Sequence, residues 1–311
     1  MPSNQSPLGA LPARFRRERL LIVGCGDVGL RLAGLVPKRA RQLALTSNAA
    51  RCEALRQAGI TPLVGNLDDP RSLQRLGGLA TRVVHLAPPP GSGTHDPRTR
   101  HLLQSLHKRQ LPRSLVYGST TGVYGDCAGE WVFETRPLQA STARAQRRVD
   151  AEAAVRRFAR AGLVAHTRVS VLRIPGIYAP DREGGTPRER LLRGTPVLTQ
   201  LDDVYTNHIH ADDLARACWL ALWRGRTRRV YNVADRSVLK MGDYMEQAAA
   251  FYGLPPPQRV SRQEIAQHVT PMTLSFMNES RRVATQRMQH ELRLSLRYPE
   301  IWDGLRATSL R

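Results

Sequence analysis

Short apolar segments alternate with amphipathic segments along the first half of the chain, and this alternation predicts strands that alternate with helices. The predicted strands are residues 20–23, 41–46, 61–67, 82–87, 114–118 and 167–174. The first predicted helix carries Val28, Leu32, Leu35 and Val36 on one face, and the later ones are residues 49–58, 71–76, 101–110 and 140–161. Six strands that alternate with helices indicate an α/β fold with a doubly wound parallel sheet.

The pattern changes after the sixth predicted strand. The elements predicted there are a helix at 188–193, a strand at 205–210, a helix at 211–224 and a strand at 230–234, followed by mostly helical sequence. We expect a sheet domain over residues 20–175, to which strand 230–234 returns, and a smaller, mostly helical lobe from residues 176–229 and 236–311. Residues 1–19 contain Pro, Ser, Gly and Arg without the apolar region of a secretory signal, which predicts a flexible basic leader.

The first predicted strand ends in a glycine motif, whose residues are Gly24, Cys25, Gly26, Asp27, Val28 and Gly29. A strand, a tight G-x-G-x-x-G turn and a helix N-terminus form the dinucleotide-binding fingerprint of the Rossmann fold. Gly24 permits the turn, Gly26 lets the backbone approach a pyrophosphate, and Gly29 lets the helix pack closely on the strand. The free N–H groups of the helix N-terminus then receive the anion. The motif therefore predicts a nicotinamide dinucleotide as the cofactor.

The end of the second predicted strand indicates which dinucleotide is bound. A residue about 20 positions beyond the glycines meets the adenosine ribose in this architecture, and an acidic side chain there accepts a hydrogen bond from the 2′-hydroxyl. This chain has Ser47, Asn48 and Arg51 in that region, and no acid. Small polar groups and a guanidinium suit a 2′-phosphate. We therefore expect NADP, with NAD as the alternative if Arg51 is only a solvated residue of the next helix.

The net charge narrows the range of partners. The 311 residues carry a formal charge of +21, and nearly all of the basic residues are arginines that are spread along the whole chain. Nucleic-acid binders usually concentrate such charge on one element with aromatic residues interleaved, so nucleic acid is not an expected partner. A dispersed positive field instead favours a small-molecule substrate that is anionic.

Two absences also limit the class of protein. No apolar run reaches the roughly 18 residues of a membrane helix, so no membrane partner is expected. The cysteines have neither C-x-x-C spacing nor neighbouring histidines, and they are Cys25, Cys52, Cys127 and Cys218. This pattern predicts a reduced, cytoplasmic protein without a metal site. The sequence leaves open whether the protein is a monomer or a homodimer.

Seven motifs in order resemble the extended short-chain dehydrogenase/reductase superfamily, of the NAD-dependent epimerase/dehydratase type. They are the glycine motif, Gly65-Asn66-Leu67-Asp68-Asp69, His85-Leu86-Ala87, residues 119–125, residues 173–178, residues 207–213 and Tyr231-Asn232-Val233. The resemblance covers roughly residues 20–305. It implies an NAD(P)-dependent oxidoreductase with a Rossmann fold.

The resemblance also assigns roles to residues at matching positions. The implied cofactor-binding residues beyond the glycine motif are Asn66 and Leu67 at the adenine, Leu86, Ala87 and Pro88 at the ribose and phosphates, Ser119 at a strand end, and Pro175, Gly176 and Ile177 at the nicotinamide. The family usually has Asp where Asn66 stands. Thr120 matches the family's catalytic Ser/Thr, which hydrogen-bonds the reacting oxygen.

One departure from the family changes the expected chemistry. Family enzymes use a Tyr-x-x-x-Lys pair on the long helix for general acid–base catalysis. The best register places Ala140 at the tyrosine and Arg144 at the lysine, and residues 136–160 contain neither Tyr nor Lys. Arginine keeps its proton, so Arg144 is expected to bind the cofactor ribose or an anionic substrate. The candidate sources of the proton are then Tyr124, Tyr178, His208, His210 and water.

Three functions stay open on the sequence. The first is an atypical reductase that transfers a hydride to or from a small carbonyl, hydroxyl or sugar-like substrate. The second is a non-catalytic NADP-binding sensor or regulatory protein, which the missing Tyr–Lys pair favours. The third is a nucleotide-sugar epimerase or dehydratase, which the positive charge favours and the missing tyrosine disfavours.

Overall fold

Seven parallel strands form the central sheet of the computed structural model, which describes residues 17–160 and 167–307. They are β1 (Arg19–Val23), β2 (Arg41–Thr46), β3 (Thr61–Val64), β4 (Arg82–His85), β5 (Ser114–Thr120), β6 (Arg168–Ile174) and β7 (Arg229–Asn232). Their order across the sheet is β7-β6-β5-β4-β1-β2-β3, and each neighbouring pair is parallel. The expected doubly wound α/β fold is confirmed. Most of the predicted leader, residues 1–16, lies outside the described residues.

Helices follow most of the strands. In the described ranges they are α1 (Asp27–Leu35), α2 (Cys52–Gln57), α3 (Pro97–His107), α4 (Ala143–Phe158), α5 (Arg188–Leu192), α6 (Ala211–Arg224), α7 (Met241–Tyr252), α8 (Arg262–His268), α9 (Pro271–Met277), α10 (Gln286–Glu291) and α11 (Ile301–Arg306). Segments of 3₁₀ helix occur at Ala49–Arg51, Pro70–Leu76 and Thr121–Tyr124. The predicted helix at 71–76 is therefore a 3₁₀ segment, and the one at 49–58 begins as one.

Alternate side chains of β1 enter two separate apolar layers. Leu20 and Ile22 pack in the layer of α1 and α6, whereas Leu21 and Val23 pack in the layer of α3 and α4. Successive side chains of a strand point to opposite faces of its sheet, so helices cover both faces. This double coverage explains why the strands read as nearly continuous apolar runs.

Helix α4 begins later than the sequence predicts. Thr142 is its N-cap, because the Thr142 hydroxyl accepts a hydrogen bond from the Ala145 N–H at 3.2 Å. A cap residue lies outside the helical backbone conformation and satisfies a first-turn N–H group. Residues 140–142 therefore precede the helix, and the predicted end at residue 161 lies outside the described residues.

Four short strand pairs lie outside the central sheet. They are Trp131–Val132 with Arg282–Val283, Gly176–Tyr178 with His208–His210, Val197–Leu198 with Arg259–Val260, and Tyr205–Thr206 with Leu239–Lys240. The predicted strand at 205–210 is thus divided at Asn207. A separate apolar cluster joins α5, α7 and α11 through Leu191, Tyr244, Met245 and Ile301.

Helix α6 occupies a different position from the one that the sequence suggests. Its bounds are those predicted, but the sequence assigns it to the smaller lobe, whereas Leu214 and Cys218 pack against the sheet beside α1. The reason is that α6 is apolar along one face, which packs in the same core layer as Leu20 and Ile22 of β1. The division into a sheet domain and a lobe remains a prediction, with α6 packed on the sheet.

Candidate active site

The three glycines bring β1, β4 and α1 close together. Gly24 has a φ of +86°, and a Cβ there would lie 2.3 Å from the Ala87 nitrogen. A Cβ at Gly29 would lie 3.2 Å from both the Gly24 oxygen and the Ile22 side chain. At Gly26, by contrast, a Cβ would meet no atom within 4 Å. The turn is therefore tightly packed at Gly24 and Gly29, whereas the space next to Gly26 is open.

The N-terminus of α1 lies at this open face. No side chain caps it at Gly26, so its first N–H groups are available to an anion. The carboxylate of Asp27 accepts hydrogen bonds from Arg31 Nε and Arg182 Nη1, both at 3.0 Å, and its charge is thereby balanced. Burial raises the pKa of the Cys25 thiol to about 11, so the turn carries no thiolate at neutral pH.

The segment after β2 reaches back to the glycine turn. Arg51 Nη2 donates a hydrogen bond to the Cys25 carbonyl at 2.7 Å. Asn48 Oδ1 accepts from the Ala50 N–H at 2.9 Å, which holds the 3₁₀ segment that carries Arg51, and Ser47 is exposed beside it. The structure therefore brings Ser47, Asn48 and Arg51 to the edge that holds the glycine turn.

The loops after β3 and β4 complete this edge. The N–H groups of Leu86 and Ala87 both donate to the Val23 carbonyl, at 2.7 and 3.1 Å. Asn66 Oδ1 accepts from the Asp68 N–H at 3.0 Å, and the Leu67 carbonyl lies 2.8 Å from the His101 ring.

An arginine of α3 ties the two loops together. Arg98 forms an ion pair with Asp68 at 2.6 Å and hydrogen-bonds the Pro88 carbonyl at 3.3 Å. All the predicted adenosine-side residues thus lie along one edge of the sheet.

A cavity of about 410 Å³ adjoins the carboxyl ends of β5 and β6. Of the residues predicted from the sequence, those that line it are Thr120, Arg144, Pro175, Gly176, Ile177, Tyr178 and His208. The Thr120 hydroxyl accepts a hydrogen bond from the Gly122 N–H at 3.2 Å, and its own proton remains available to a ligand. The Arg144 guanidinium lies 4.4 Å above the Phe276 ring.

Two predicted site residues belong to a buried polar network instead. The Ser119 hydroxyl donates to Glu152 at 2.6 Å, and the Tyr124 hydroxyl donates to Asn232 Oδ1 at 2.7 Å. Tyr124 is fully buried, and burial raises its pKa. The Arg173 guanidinium lies 4.7 Å over the Tyr124 ring. The prediction of Tyr124 as a proton source is corrected, since its hydroxyl is held in the core and does not line the cavity.

The sequence profile of the NAD dependent epimerase/dehydratase family matches residues 21–234, more than half of the chain. The chain belongs to this family. The resemblance seen in the motifs is thereby confirmed. No curated protein matches the chain.

Solved structures of similar fold span nearly the whole chain. A functionally unknown conserved protein from Silicibacter pomeroyi DSS is 30% identical, with a TM-score of 0.77, and the match covers 94% of this chain and 98% of that one. MoeE5 in complex with UDP-glucose and NAD is 19% identical, with a TM-score of 0.72 and coverage of 94% and 100%. The dTDP-glucose 4,6-dehydratase from Bacillus anthracis str. Ames in complex with NAD is 16% identical, with a TM-score of 0.75 and coverage of 94% and 96%.

Helix α4 of this member of the epimerase/dehydratase family carries Arg144 and Arg148 and contains neither Tyr nor Lys. Ala140 precedes α4, so it cannot share a helix face with Arg144. Arg144 and Arg148 are one turn apart on α4. Arg148 Nη1 donates to the Gly118 carbonyl at 2.8 Å and to the Tyr117 hydroxyl at 3.1 Å, while Arg144 lines the cavity. The register with Ala140 at the tyrosine and Arg144 at the lysine remains a prediction.

The two histidines of the 207–213 motif have different surroundings. His210 caps α6, because its Nδ1 accepts from the Asp212 N–H at 3.1 Å, and its ring packs 3.9 Å from that of Tyr298. His208 lines the cavity, and burial with the nearby Arg190 charge lowers its pKa to about 4. His208 is therefore neutral at physiological pH, and the role of His210 is to cap α6.

Several cavity residues come from parts of the chain where no motif indicates a site. They are Arg190, Tyr244, Phe276, Glu279 and Arg281. Arg281 donates to the Gly125 carbonyl at 2.6 Å and to Glu279 at 2.8 Å, and Ser141 also donates to Glu279 at 3.2 Å. No spacing pattern in the sequence connects these residues, because they meet only through folding of the C-terminal half.

Two classes of site find no support in the described ranges. None of their helices is both long and apolar enough to span a bilayer. No group of three or more His, Cys, Asp or Glu side chains within those ranges could hold a metal ion.

Proposed function

We propose that this protein is an NADP-dependent oxidoreductase that transfers a hydride to or from a small carbonyl, hydroxyl or sugar-like substrate. One observation supports the proposal most directly. The space next to Gly26 is open, the N-terminus of α1 has no side-chain cap, and both lie at the edge of the sheet that also holds the cavity with Thr120 and Arg144. Ligands of open α/β sheets bind at the carboxyl ends of the strands.

The residues along the edge fit a dinucleotide. Residues 24–29 would hold the pyrophosphate, and Asn66 and Leu67 the adenine. Leu86, Ala87 and Pro88 would flank the ribose and phosphates, and Pro175, Gly176 and Ile177 the nicotinamide. Arg51 supports NADP over NAD, because its guanidinium lies beside the turn and no acidic residue stands between β2 and Arg51. A bound nicotinamide supplies the hydride chemistry.

The side chains of the cavity would contribute by stabilising the charge that develops on the substrate oxygen. Thr120 would hydrogen-bond the reacting oxygen, and the Arg144 guanidinium would stabilise the negative charge that develops on it. The pKa of Arg144 is lowered by burial, but arginine remains protonated near neutrality. The proton for the product alcohol would then come from water in the cavity, because the Tyr124 hydroxyl donates to Asn232, the Tyr178 hydroxyl donates to the Glu300 carbonyl, and His208 is neutral.

Gly26→Ala provides the direct test of cofactor binding. A methyl group there meets no protein atom within 4 Å, so the fold should be retained. It would occupy the space above the turn, and we expect NADPH affinity to fall at least tenfold, about 1.4 kcal/mol. Gly34→Ala is the matched control, because it lies on the same helix with equally open space. Binding is measured by calorimetry with NADPH and NADH.

Turnover decides between the catalytic proposal and its alternatives. NADPH oxidation is followed with a panel of small aldehydes, ketones and aldoses. Tight NADPH binding without turnover would favour the sensor or regulatory function. Failure of both dinucleotides to bind would overturn the proposal.

A nucleotide-sugar function is a second candidate, because the solved MoeE5 structure contains UDP-glucose and NAD and shares this fold. The cavity here is lined by Arg144, Arg190 and Arg281 against one carboxylate, Glu279, which would suit a diphosphate. UDP-glucose is therefore included in the panel, with conversion measured by product analysis. The missing tyrosine counts against this candidate, since the reaction needs an acid–base group at the sugar hydroxyl.

A further inference from the structure

Arg190, on α5, brings a positive charge to the cavity without a carboxylate partner. Its Nη2 atom is buried and has no hydrogen-bond partner among the residues that the structure describes. Burial lowers the pKa of Arg190, although the guanidinium stays charged near neutrality. Arg190 as a whole is half-buried, and a charge that is partly removed from water without a partner is costly. The position therefore favours a ligand that supplies the opposite charge.

Three buried arginines, Arg82, Arg173 and Arg281, are paired with carboxylates, whereas the buried Arg147 donates to the Gly93 carbonyl. Arg173 forms an ion pair with Glu152 at 2.8 Å, and Arg281 forms one with Glu279 at 2.8 Å. Arg190 has no ion pair within the described ranges. Arg190 lines the cavity instead, where a ligand can reach it.

Two further donors line the cavity in the electrostatic field of Arg190. The ring of His208 lies 4.7 Å from that of Tyr244, and the Arg190 charge acts on both residues. His208 Nδ1 is buried without a hydrogen-bond partner, and its Nε2 lies 3.4 Å from the Thr206 hydroxyl. The Tyr244 hydroxyl makes no hydrogen bond to the part of the chain that the structure describes. A neutral imidazole and a phenol can each donate one hydrogen bond.

Asp235 is the carboxyl group nearest in effect to Tyr244, and it does not supply a negative charge that could neutralise Arg190. Asp235 is 5% exposed, and burial raises its pKa to about 8, so it is mostly protonated at neutral pH. Its Oδ1 atom accepts a hydrogen bond from the Ser237 N–H at 2.9 Å. Arg190 thus lacks a neutralising group from this direction.

We propose that Arg190, His208 and Tyr244 form a subsite for an oxyanion of the substrate, a carboxylate or a phosphate. This inference rests on the proposed function, because it takes the cavity as the substrate site. The subsite is separate from Thr120 and Arg144, which would hold the reacting oxygen. The substrate is then a carbonyl or hydroxyl compound that also carries an anionic group, and Arg190 determines that specificity.

Matched substrate pairs test the proposal. Glyceraldehyde 3-phosphate is compared with glyceraldehyde, and glyoxylate with acetaldehyde, with NADPH as the reductant. We expect the wild type to prefer the anionic member of at least one pair, which also identifies the oxyanion as phosphate or carboxylate. Arg190→Gln should lower kcat/KM for that member roughly 30-fold to 100-fold, mainly through KM, and leave the neutral member within about threefold.

Two more variants separate recognition from structure. Arg193→Gln is the control, because Arg193 follows the same helix and is exposed, and it should leave both members of a pair unchanged. Arg190→Met should keep or raise the melting temperature of the ligand-free protein, since it removes a half-buried charge without a partner. Arg190→Lys should recover part of the preference for the anionic substrate.

Binding of inorganic phosphate and of acetate, measured by calorimetry, gives a readout that does not depend on turnover. We expect Arg190→Gln to weaken the preferred anion at least tenfold, and Tyr244→Phe to weaken it less. If anions bind and no aldehyde reacts, the proposed function fails and the subsite stands. If aldehydes react but neither an anion preference nor anion binding depends on Arg190, the subsite is wrong and the proposed function stands. An equal loss for neutral and anionic substrates in Arg190→Gln would assign Arg190 a structural role.

Discussion

Glu152 supplies the counter-charge for an arginine that is buried beneath the candidate site. Its carboxylate accepts hydrogen bonds from Arg173 Nε at 3.1 Å and Nη2 at 2.8 Å, and from the Ser119 hydroxyl at 2.6 Å. Both side chains of the ion pair are 2% exposed. Burial lowers the pKa of Arg173, but the hydrogen bonds to Glu152 more than offset this, so Arg173 stays charged. Glu152→Gln removes the charge and keeps the shape of the side chain.

The size of the expected loss in stability follows from the groups that remain around Arg173 after Glu152→Gln. In Glu152→Gln the guanidinium keeps the Glu134 carbonyl at 3.3 Å and the Tyr124 ring at 4.7 Å, but no carboxylate replaces Glu152. Removing one partner of a buried pair typically costs about 3–5 kcal/mol. Because the amide oxygen still accepts one hydrogen bond, we expect the free energy of unfolding to fall by about 3 kcal/mol.

Urea unfolding at pH 7, followed by tryptophan fluorescence, measures this loss. Glu53→Gln is the control, because the Glu53–Arg56 pair is 68% and 61% exposed and should contribute no more than about 0.5 kcal/mol. Adding Arg173→Met to Glu152→Gln should recover part of the lost stability, since no buried charge is then left unpaired. A loss below about 1 kcal/mol in Glu152→Gln would refute the reasoning, because it would show that water or another group compensates Arg173.

Three further variants test the candidate site. Arg51→Gln should weaken NADPH about 10-fold to 100-fold and leave NADH nearly unchanged, as measured by calorimetry, because a charge-assisted contact to the 2′-phosphate is lost. Thr120→Val should lower kcat by about 100-fold, whereas Thr120→Ser should retain most of it, since the hydroxyl holds the reacting oxygen. Burial raises the pKa of Asp235 from 3.8 to about 8, so the folded protein holds a proton that the unfolded chain releases. The free energy of unfolding should therefore fall as the pH rises between these values, and Asp235→Asn should flatten that dependence in urea titrations.

Each of these variants has an outcome that contradicts its reasoning. An equal loss of NADH and NADPH affinity would mean that Arg51 acts by supporting the turn through the Cys25 carbonyl. A Thr120→Ser variant as slow as Thr120→Val would remove the role of the hydroxyl. An unchanged pH dependence in Asp235→Asn would assign the titration to another group.

Local patterns in the sequence predict the framework well. The bounds predicted for β2 and α6 are those of the structure, because apolar positions repeat at a strand period in one and at a helical period in the other. The glycine turn is predicted for an equally local reason. Gly24 adopts a positive φ and touches Ala87, and only glycine meets both requirements.

Errors arise where a residue's role depends on a partner that is distant in the sequence. Ser119 and Tyr124 stand in a family motif, but their hydroxyls are held by Glu152 and Asn232. The start of α4 was predicted at residue 140, but the cap at Thr142 places Ala140 before the helix.

The sequence by itself therefore determined the parallel sheet, the dinucleotide turn and the family, because these depend on local periodicity and on residues close together in the chain. Only the tertiary structure decided which side chains surround the cavity at the ends of β5 and β6. Arg190, His208 and Tyr244 come from three separate elements, and long-range packing alone brings them together. Packing also left Arg190 without a carboxylate partner in residues 17–160 and 167–307, and no pattern of neighbouring residues could have indicated that.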